Sequence, residues 1–246
     1  MPATASLIRD ESEPQIAADP RLIVPLDLPT RAEAEAMVER LGDSVSFYKI
    51  GLQLLASGGM ALAKDLKTSG RQIFLDWKLH DIGATVEKAA AAIAATGSCD
   101  FLTVHAEPQV LAAAVRGRAG EAGVKILGVT VLTSLSETDL KGIGYEQGVV
   151  ALAERRIRQA LDAGADGVIV SPREAALARR IGGPDFLVVT PGVRPAWSGA
   201  DDQARAATPA EALAAGASHL VCGRPVTAAQ DPRAAARTIA LEMSGI

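Results

Sequence analysis

The run Phe74-Leu75-Asp76-Trp77-Lys78-Leu79-His80-Asp81 sets two carboxylates and an ammonium at the end of an apolar stretch. In an extended strand successive side chains alternate faces, so Asp76 and Lys78 share one side while Ile73, Leu75, Trp77 and Leu79 take the other. Buried ions are tolerated only when paired or solvated. A strand ending in this way must aim its charges at one another in a polar cavity, a setting suited to charge stabilisation and proton transfer. Lys49, near the end of an earlier apolar segment, joins Asp76, Lys78 and Asp81 in the same reading. Any one of the four could be an ordinary salt-bridge partner; four together read as a site.

A second signal lies near the C-terminus, where Pro191-Gly192-Val193-Arg194 and Cys222-Gly223-Arg224-Pro225 each follow an apolar segment. Glycine permits close backbone approach and arginine grips phosphate oxygens bidentately. Gly-Arg pairs are common, so their position in the pattern of elements gives them their weight. It points to a phosphorylated substrate.

The elements that must carry these residues are eight short β-branched segments: Leu22 to Asp27, Ser46 to Gly51, Gln72 to Lys78, Phe101 to Ala106, Lys125 to Thr133, Gly167 to Ser171, Phe186 to Pro191 and His219 to Gly223. A helical stretch follows each. Thr30 with Glu33 forms a capping box ahead of an apolar face made by Ala34, Met37, Val38 and Leu41, and Gly42 stops that helix. Ser171-Pro172-Arg173-Glu174 and Thr208-Pro209-Ala210-Glu211 repeat the hydroxyl, proline and glutamate punctuation, and Asp231-Pro232 opens the last helix. In Val149 to Ala163, the arginines 155, 156 and 158 read as a solvated helix face. Thr85, ahead of Val86-Glu87-Lys88, reads as a helix N-cap.

Eight strand-helix units without a hairpin signal predict an α/β fold, a single-domain (β/α)8 TIM barrel over residues 21–246, with an open doubly wound sheet as the alternative. In such a barrel functional groups gather at the carboxyl ends of the strands, and phosphate is held after strands seven and eight. Period-two reading sets Ile23, Pro25 and Asp27 on one inward face, then Phe47 and Lys49, then Phe74, Asp76, Lys78 and His80, then Thr103 and His105, then Val129, Val131 and Thr133. Residues 1–20, rich in Ala, Asp, Glu and Pro, read as a flexible arm.

Composition bounds the function classes. With 246 residues, 48% hydrophobic and 22% charged residues and a net charge of -4, the chain has room for a large core and lacks the basic surface of a nucleic-acid binder. Its apolar runs are too short to span a bilayer and no basic-then-apolar leader is present, so membrane association is not expected and a cytoplasmic location follows. Cys99 and Cys222 lie far apart outside any metal-binding spacing, so neither a disulfide framework nor a metal site is expected.

The segment Phe74 to Val86, together with Leu26-Asp27, Lys49-Ile50-Gly51, Val131-Leu132-Thr133-Ser134, Val189 to Arg194, Asp202-Gln203 and Cys222-Gly223-Arg224, resembles the orotidine 5'-phosphate decarboxylases in their bacterial form. The matches run in order from about Leu22 to the C-terminus. One departure is Gly83, where the family commonly has proline, which loosens that turn and removes no functional group. The resemblance implies decarboxylation of orotidine 5'-phosphate to uridine 5'-phosphate, the last step of de novo pyrimidine nucleotide synthesis, with no metal or organic cofactor. It implies that Lys78 stabilises the C6 carbanion and protonates it, with Asp76, Lys49 and Asp81 completing an alternating charge network. It further implies that Asp27 and Lys49 contact ribose, that Thr133 contacts the pyrimidine and that Gln203, Gly223 and Arg224 hold the phosphate end, with Pro191 and Arg194 beside them. Asp81 and Thr85 would reach into the neighbouring subunit's site of a homodimer. His80 and His105 have no required role, and His219 reads as structural. The stretch from Arg194 to Gln203, with Pro195, Trp197 and Gly199, reads as a mobile lid over the phosphate. Rival readings are a magnesium-dependent phosphosugar decarboxylase or aldolase of the same barrel type, for which only Glu107 offers an extra carboxylate, and a catalytically silent nucleotide-binding barrel.

Overall fold

Short apolar runs alternating with capped helices fold into eight parallel strands: β1 (Leu22–Pro25), β2 (Phe47–Gly51), β3 (Gln72–Leu79), β4 (Phe101–His105), β5 (Lys125–Val129), β6 (Gly167–Ile169), β7 (Leu187–Pro191) and β8 (His219–Val221). The computed structural model describes residues 17–120, 123–198 and 207–245. Strand β1 pairs with both β2 and β8, Ile23 lying opposite Phe47 and Leu22 opposite Leu220, so the sheet closes into a barrel and leaves no open edge. The helices are α1 (Arg31–Leu41), α2 (Gly59–Thr68), α3 (Gly83–Ala95), α4 (Pro108–Gly117), α5 (Glu137–Gly142), α6 (Val149–Asp162), α7 (Ala175–Gly182), α8 (Pro209–Ala214), α9 (Arg224–Thr227) and α10 (Pro232–Ser244). None is long and apolar enough to cross a membrane.

Period-two alternation separates the two cores. Val24, Tyr48, Ile50, Ile73 and Leu75 face the helices, while Ile23, Phe47, Phe74, Phe101, Leu127, Val189 and Val221 fill the barrel. At the base Phe101 makes edge contacts with Phe47 at 5.0 Å, Phe74 at 6.0 Å and His219 at 5.1 Å between ring centroids. Each aromatic side chain withdrawn from water contributes about 1.5–3 kcal/mol. This packing fills the lower half of the barrel interior, and the cavity bearing the charged residues opens at the carboxyl ends of the strands. Below it, Asp19 accepts from Arg21 through both carboxylate oxygens, and Arg21 also donates to the Met243 carbonyl, tying the start of the barrel to α10.

The capping boxes at Thr30 and Thr208 form as expected, and Asp231 caps α10 by accepting from Ala234 N–H. Three local readings are corrected. Ser171 does not cap a helix: its hydroxyl donates to the buried Glu174 carboxylate, and Pro172–Glu174 make a 3-10 turn before α7. Helix α3 starts at Gly83, which puts Thr85 inside the first turn instead of at the cap. Strand β5 ends at Val129, not Thr133, because residues 130–148 leave the barrel and pack Val131 and Leu140 against Val149, Leu152 and Ala153 of α6 in a satellite core.

His219 is pushed down from 6.5 to about 4, chiefly by burial among the base aromatics, with Asp19 opposing that shift and Arg21 adding to it. The folded chain then holds fewer protons than the unfolded chain between those two values, so this stability is complete above the unfolded value and is lost as pH falls towards the folded one. The urea midpoint should therefore fall between about pH 7.5 and about pH 5, by an amount worth about 1–2 kcal/mol, and the drop should flatten in His219→Phe. An equal drop in that variant would assign the pH dependence to other groups.

Candidate active site

Four side chains of alternating charge line up across the ends of the first three strands. Lys49 Nζ donates to Asp27 Oδ1 at 3.0 Å and lies 3.3 Å from Asp76 Oδ2, and Lys78 Nζ donates to Asp76 Oδ1 at 2.7 Å. The side chains of Lys49, Asp76 and Lys78 are 10%, 14% and 28% exposed, so water screens these pairs far less than it would at the surface. Burial alone would raise the Asp76 pKa. The ammoniums of Lys49 and Lys78 and the hydrogen bonds from Lys78 and Thr103 outweigh it and hold the carboxyl below its ordinary value. Gly51, opposite Asp76 in the ladder, leaves the room this needs, since a Cβ there would lie 2.8 Å from Asp27 Oδ1 and 3.0 Å from Lys49 Nζ.

Strand β3 delivers Lys78 by breaking its own register. Leu75 pairs with Leu102 and Leu79 with Val104, so three residues of β3 oppose Thr103 alone. Lys78 takes φ +48°, and no other non-glycine residue among those described has positive φ. That conformation costs a non-glycine residue about 1–2 kcal/mol, so surrounding contacts must hold it. Trp77 still packs outward on the helix-facing core. His80 does not continue the inward face: it is 55% exposed at its side chain, lies 3.7 Å from Glu107 and packs at 4.9 Å against the His105 ring.

Above the network opens a cavity of about 370 Å³. Asp27, Lys49, Asp76 and Lys78 form its charged side; Val129, Val131, Leu132, Thr133 and Ile169 form a mostly apolar wall opposite. Pro191, Gly192 and Gly223 lead into a second lobe of about 230 Å³ lined by Arg194 and Arg224. Arg194 N–H donates to the Ala207 carbonyl at 2.9 Å, joining the two ends of the segment between β7 and α8. Such a space suits an elongated ligand with an anionic tail at the arginines, polar groups over Lys49 and Asp27, and a flat ring between the apolar wall and Lys78.

Asp27, Lys49, Asp76, Lys78, Thr133, Pro191, Arg194, Gly223 and Arg224 are thus brought together. Asp81 is not: it is exposed and its carboxylate accepts from the N–H of Ile82 at 2.6 Å, so within one chain it does not join the network expected of it. Thr85 is exposed on the first turn of α3, also away from the cavity. Gln203 and the inner part of the expected lid lie outside the described residues.

Two contributors escaped the sequence reading. Thr103 is fully buried, and its hydroxyl meets both Asp76 and the Lys78 backbone. Arg156 corrects the solvated-face reading of α6. Its side chain is 12% exposed and donates to the Thr130 carbonyl, to Glu107 at 3.1 Å and to the Tyr145 hydroxyl at 2.9 Å, pinning the excursion that supplies Val131 to Thr133. Period-two alternation places Thr103 inward, although threonine is common in any strand; nothing local marks Arg156, whose partners lie 11, 26 and 49 positions away.

The family model described as "Orotidine 5'-phosphate decarboxylase / HUMPS family" matches residues 20–239. A protein named orotidine 5'-phosphate decarboxylase from Caulobacter sp. (strain K31) is 68% identical over 231 residues, 94% of this chain and 100% of its own length. One of the same name from Rhodopseudomonas palustris (strain BisB5) is 54% identical over 231 residues, 92% of this chain and 97% of its own. Among solved structures, an orotidine 5'-phosphate decarboxylase from Lactobacillus acidophilus is 38% identical with a TM-score of 0.80, covering 92% of this chain and 99% of its own. With the charge network at the strand ends and these likenesses over nearly its whole length, the chain belongs to the orotidine 5'-phosphate decarboxylase / HUMPS family.

Proposed function

We propose that residues 21–246 form one catalytic domain that converts orotidine 5'-phosphate to uridine 5'-phosphate and CO2. The observation that carries this reading is the Lys78 ammonium, fixed 2.7 Å from Asp76 on one side of a cavity whose far lobe presents two arginines. In the reaction the bond from C6 to the carboxylate breaks, its electron pair stays on C6, and CO2 departs. That pair has no adjacent carbonyl into which it can spread, so stabilisation must be largely electrostatic. A unit positive charge about 4 Å away contributes roughly 4 kcal/mol at an effective dielectric of 20, and more as water is excluded. Lys78 supplies that charge, then its proton to C6, and is reprotonated from solvent. Asp76, kept anionic by its depressed pKa, holds Lys78 in place before the bond breaks. The ribose hydroxyls meet Asp27 and Lys49, the pyrimidine meets Thr133, and the phosphate meets Arg194, Gly223, Arg224 and, by the family resemblance, Gln203, with Pro191 at the junction. Glu107, the extra carboxylate that a metal-assisted phosphosugar reaction would use, is engaged by Arg156 and does not line the cavity.

The site is completed across a homodimer. Asp81 and Thr85 are exposed beside the strand ends, with Ile82 between them 71% exposed and Leu52 and Leu55 exposed after the neighbouring strand. An apolar edge flanked by polar groups in this position suits a second copy of the chain, whose Asp81 would approach Lys78. A phosphorylated nucleotide does not cross a bilayer unaided, so the reaction belongs to the cytoplasm.

The absorbance of orotidine 5'-phosphate should fall on mixing with the protein, in chelator as well as without it, and Lys78→Ala should lower turnover by at least about 10³-fold. Loss of turnover in chelator would favour a phosphosugar reaction instead. Inactive Lys78→Ala and Asp81→Ala proteins, unfolded together and refolded at equal amounts, should recover about a quarter of wild-type activity, because half the dimers would carry one intact site. No recovery would place Asp81 in its own subunit's chemistry, and an Asp81→Ala protein active by itself would place it outside the site.

A further inference from the structure

We propose that Thr103 is a positioning residue for Lys78, closing a hydrogen-bonded ring that anchors that lysine at both its backbone and its ammonium. The role rests on the reading of Lys78 as proton donor given above. Where β3 breaks register, the Lys78 N–H has lost its place in the strand ladder; it donates instead to Thr103 Oγ1 at 3.0 Å. A hydroxyl has one proton to give, and here two acceptors are within reach. Asp76 Oδ1 lies at 3.1 Å and the Leu75 carbonyl at 3.5 Å, so the carboxylate is the closer and, being charged, the stronger acceptor. The same Asp76 oxygen receives the Lys78 ammonium at 2.7 Å. The ring therefore runs from the Lys78 amide to the Thr103 hydroxyl, on to Asp76 Oδ1, and back through the Lys78 ammonium.

This ring does two things that an ion pair alone would not. It satisfies the Lys78 amide at the bulge, which lets Lys78 keep φ +48°. It also fixes the Asp76 carboxylate in rotation, so the ammonium of a long, flexible side chain is held at one point before substrate arrives. Thr103 is fully buried and does not line the cavity, so it acts only through Lys78 and Asp76. The charged groups around Asp76 are Lys49 from β2 and Lys78 from β3, with Asp27 after β1 beyond Lys49; Thr103 is the neutral donor from β4.

Thr103→Val keeps the shape of the side chain and removes both hydrogen bonds. It should lower kcat for orotidine 5'-phosphate by about tenfold to a hundredfold while KM stays within about threefold. The acid limb of kcat/KM should move to higher pH, because Asp76 loses a donor that favours its charged form. Thr103→Ser should restore both. Should the valine protein fail to fold, Thr103→Cys makes the same test, since a thiol is a weak donor and a weak acceptor. In the free protein, hydrogen exchange at the Lys78 amide should be slow in wild type and Thr103→Ser and faster in the valine or cysteine variant. Unchanged kcat, or kcat and KM that worsen together with no rescue by serine, would overturn the proposal. If wild type failed to turn over orotidine 5'-phosphate, the functional reading would fall, and the exchange measurement would still decide whether Thr103 holds Lys78.

Discussion

Much of the upper half of the barrel is organised by the Asp76 carboxylate, which sits largely buried between two ammoniums. Removing one charge from a buried pair strands its partner, at a cost of about 3–5 kcal/mol. Lys49 and Lys78 are therefore mutually dependent through Asp76, and Asp27 completes the series by taking the outer side of Lys49. The same balance that makes these charges tolerable also makes them useful. A preorganised positive charge costs nothing to orient when negative charge develops next to it.

The rest of the fold separates the task of stability from the task of holding charge. Phe47, Phe74, Phe101 and His219 fill the base, so the network stands on a rigid floor. Among the described residues, Lys78 is the one non-glycine with positive φ, and there β3 carries three residues against Thr103. The opposite wall comes from a different device. Residues 130–148 leave the barrel, pack on their own small core and are tied back by Arg156, so Val131 and Leu132 face the cavity although they belong to no strand. The belt from Lys78 through the apolar wall to the two arginines thus draws on strand ends, an excursion and two glycine-containing turns.

Most of the fold could be read without coordinates because its signals are local. Alternation in β1 to β3 sorted inner from outer residues, and hydroxyl and carboxylate caps marked the helix starts at Thr30, Thr208 and Asp231. Where a cap residue met a buried environment the reading failed, as at Ser171, whose hydroxyl serves Glu174. At Thr85 it failed because the chain turns into α3 immediately after Asp81.

By itself, the sequence determined the barrel, the inward set Asp27, Lys49, Asp76 and Lys78, and the arginine-bearing turns after β7 and β8, since side-chain alternation and chain order do not depend on distant partners. Only the tertiary structure decided that Asp81 turns away from its own Lys78, that Thr103 meets that lysine's backbone, and that Arg156 is buried under an excursion instead of solvated. Each of those outcomes depends on residues far along the chain. Strand alternation ceases to predict direction once a bulge and a positive φ intervene, and helical periodicity shows which residues share a face but not what will be folded against it.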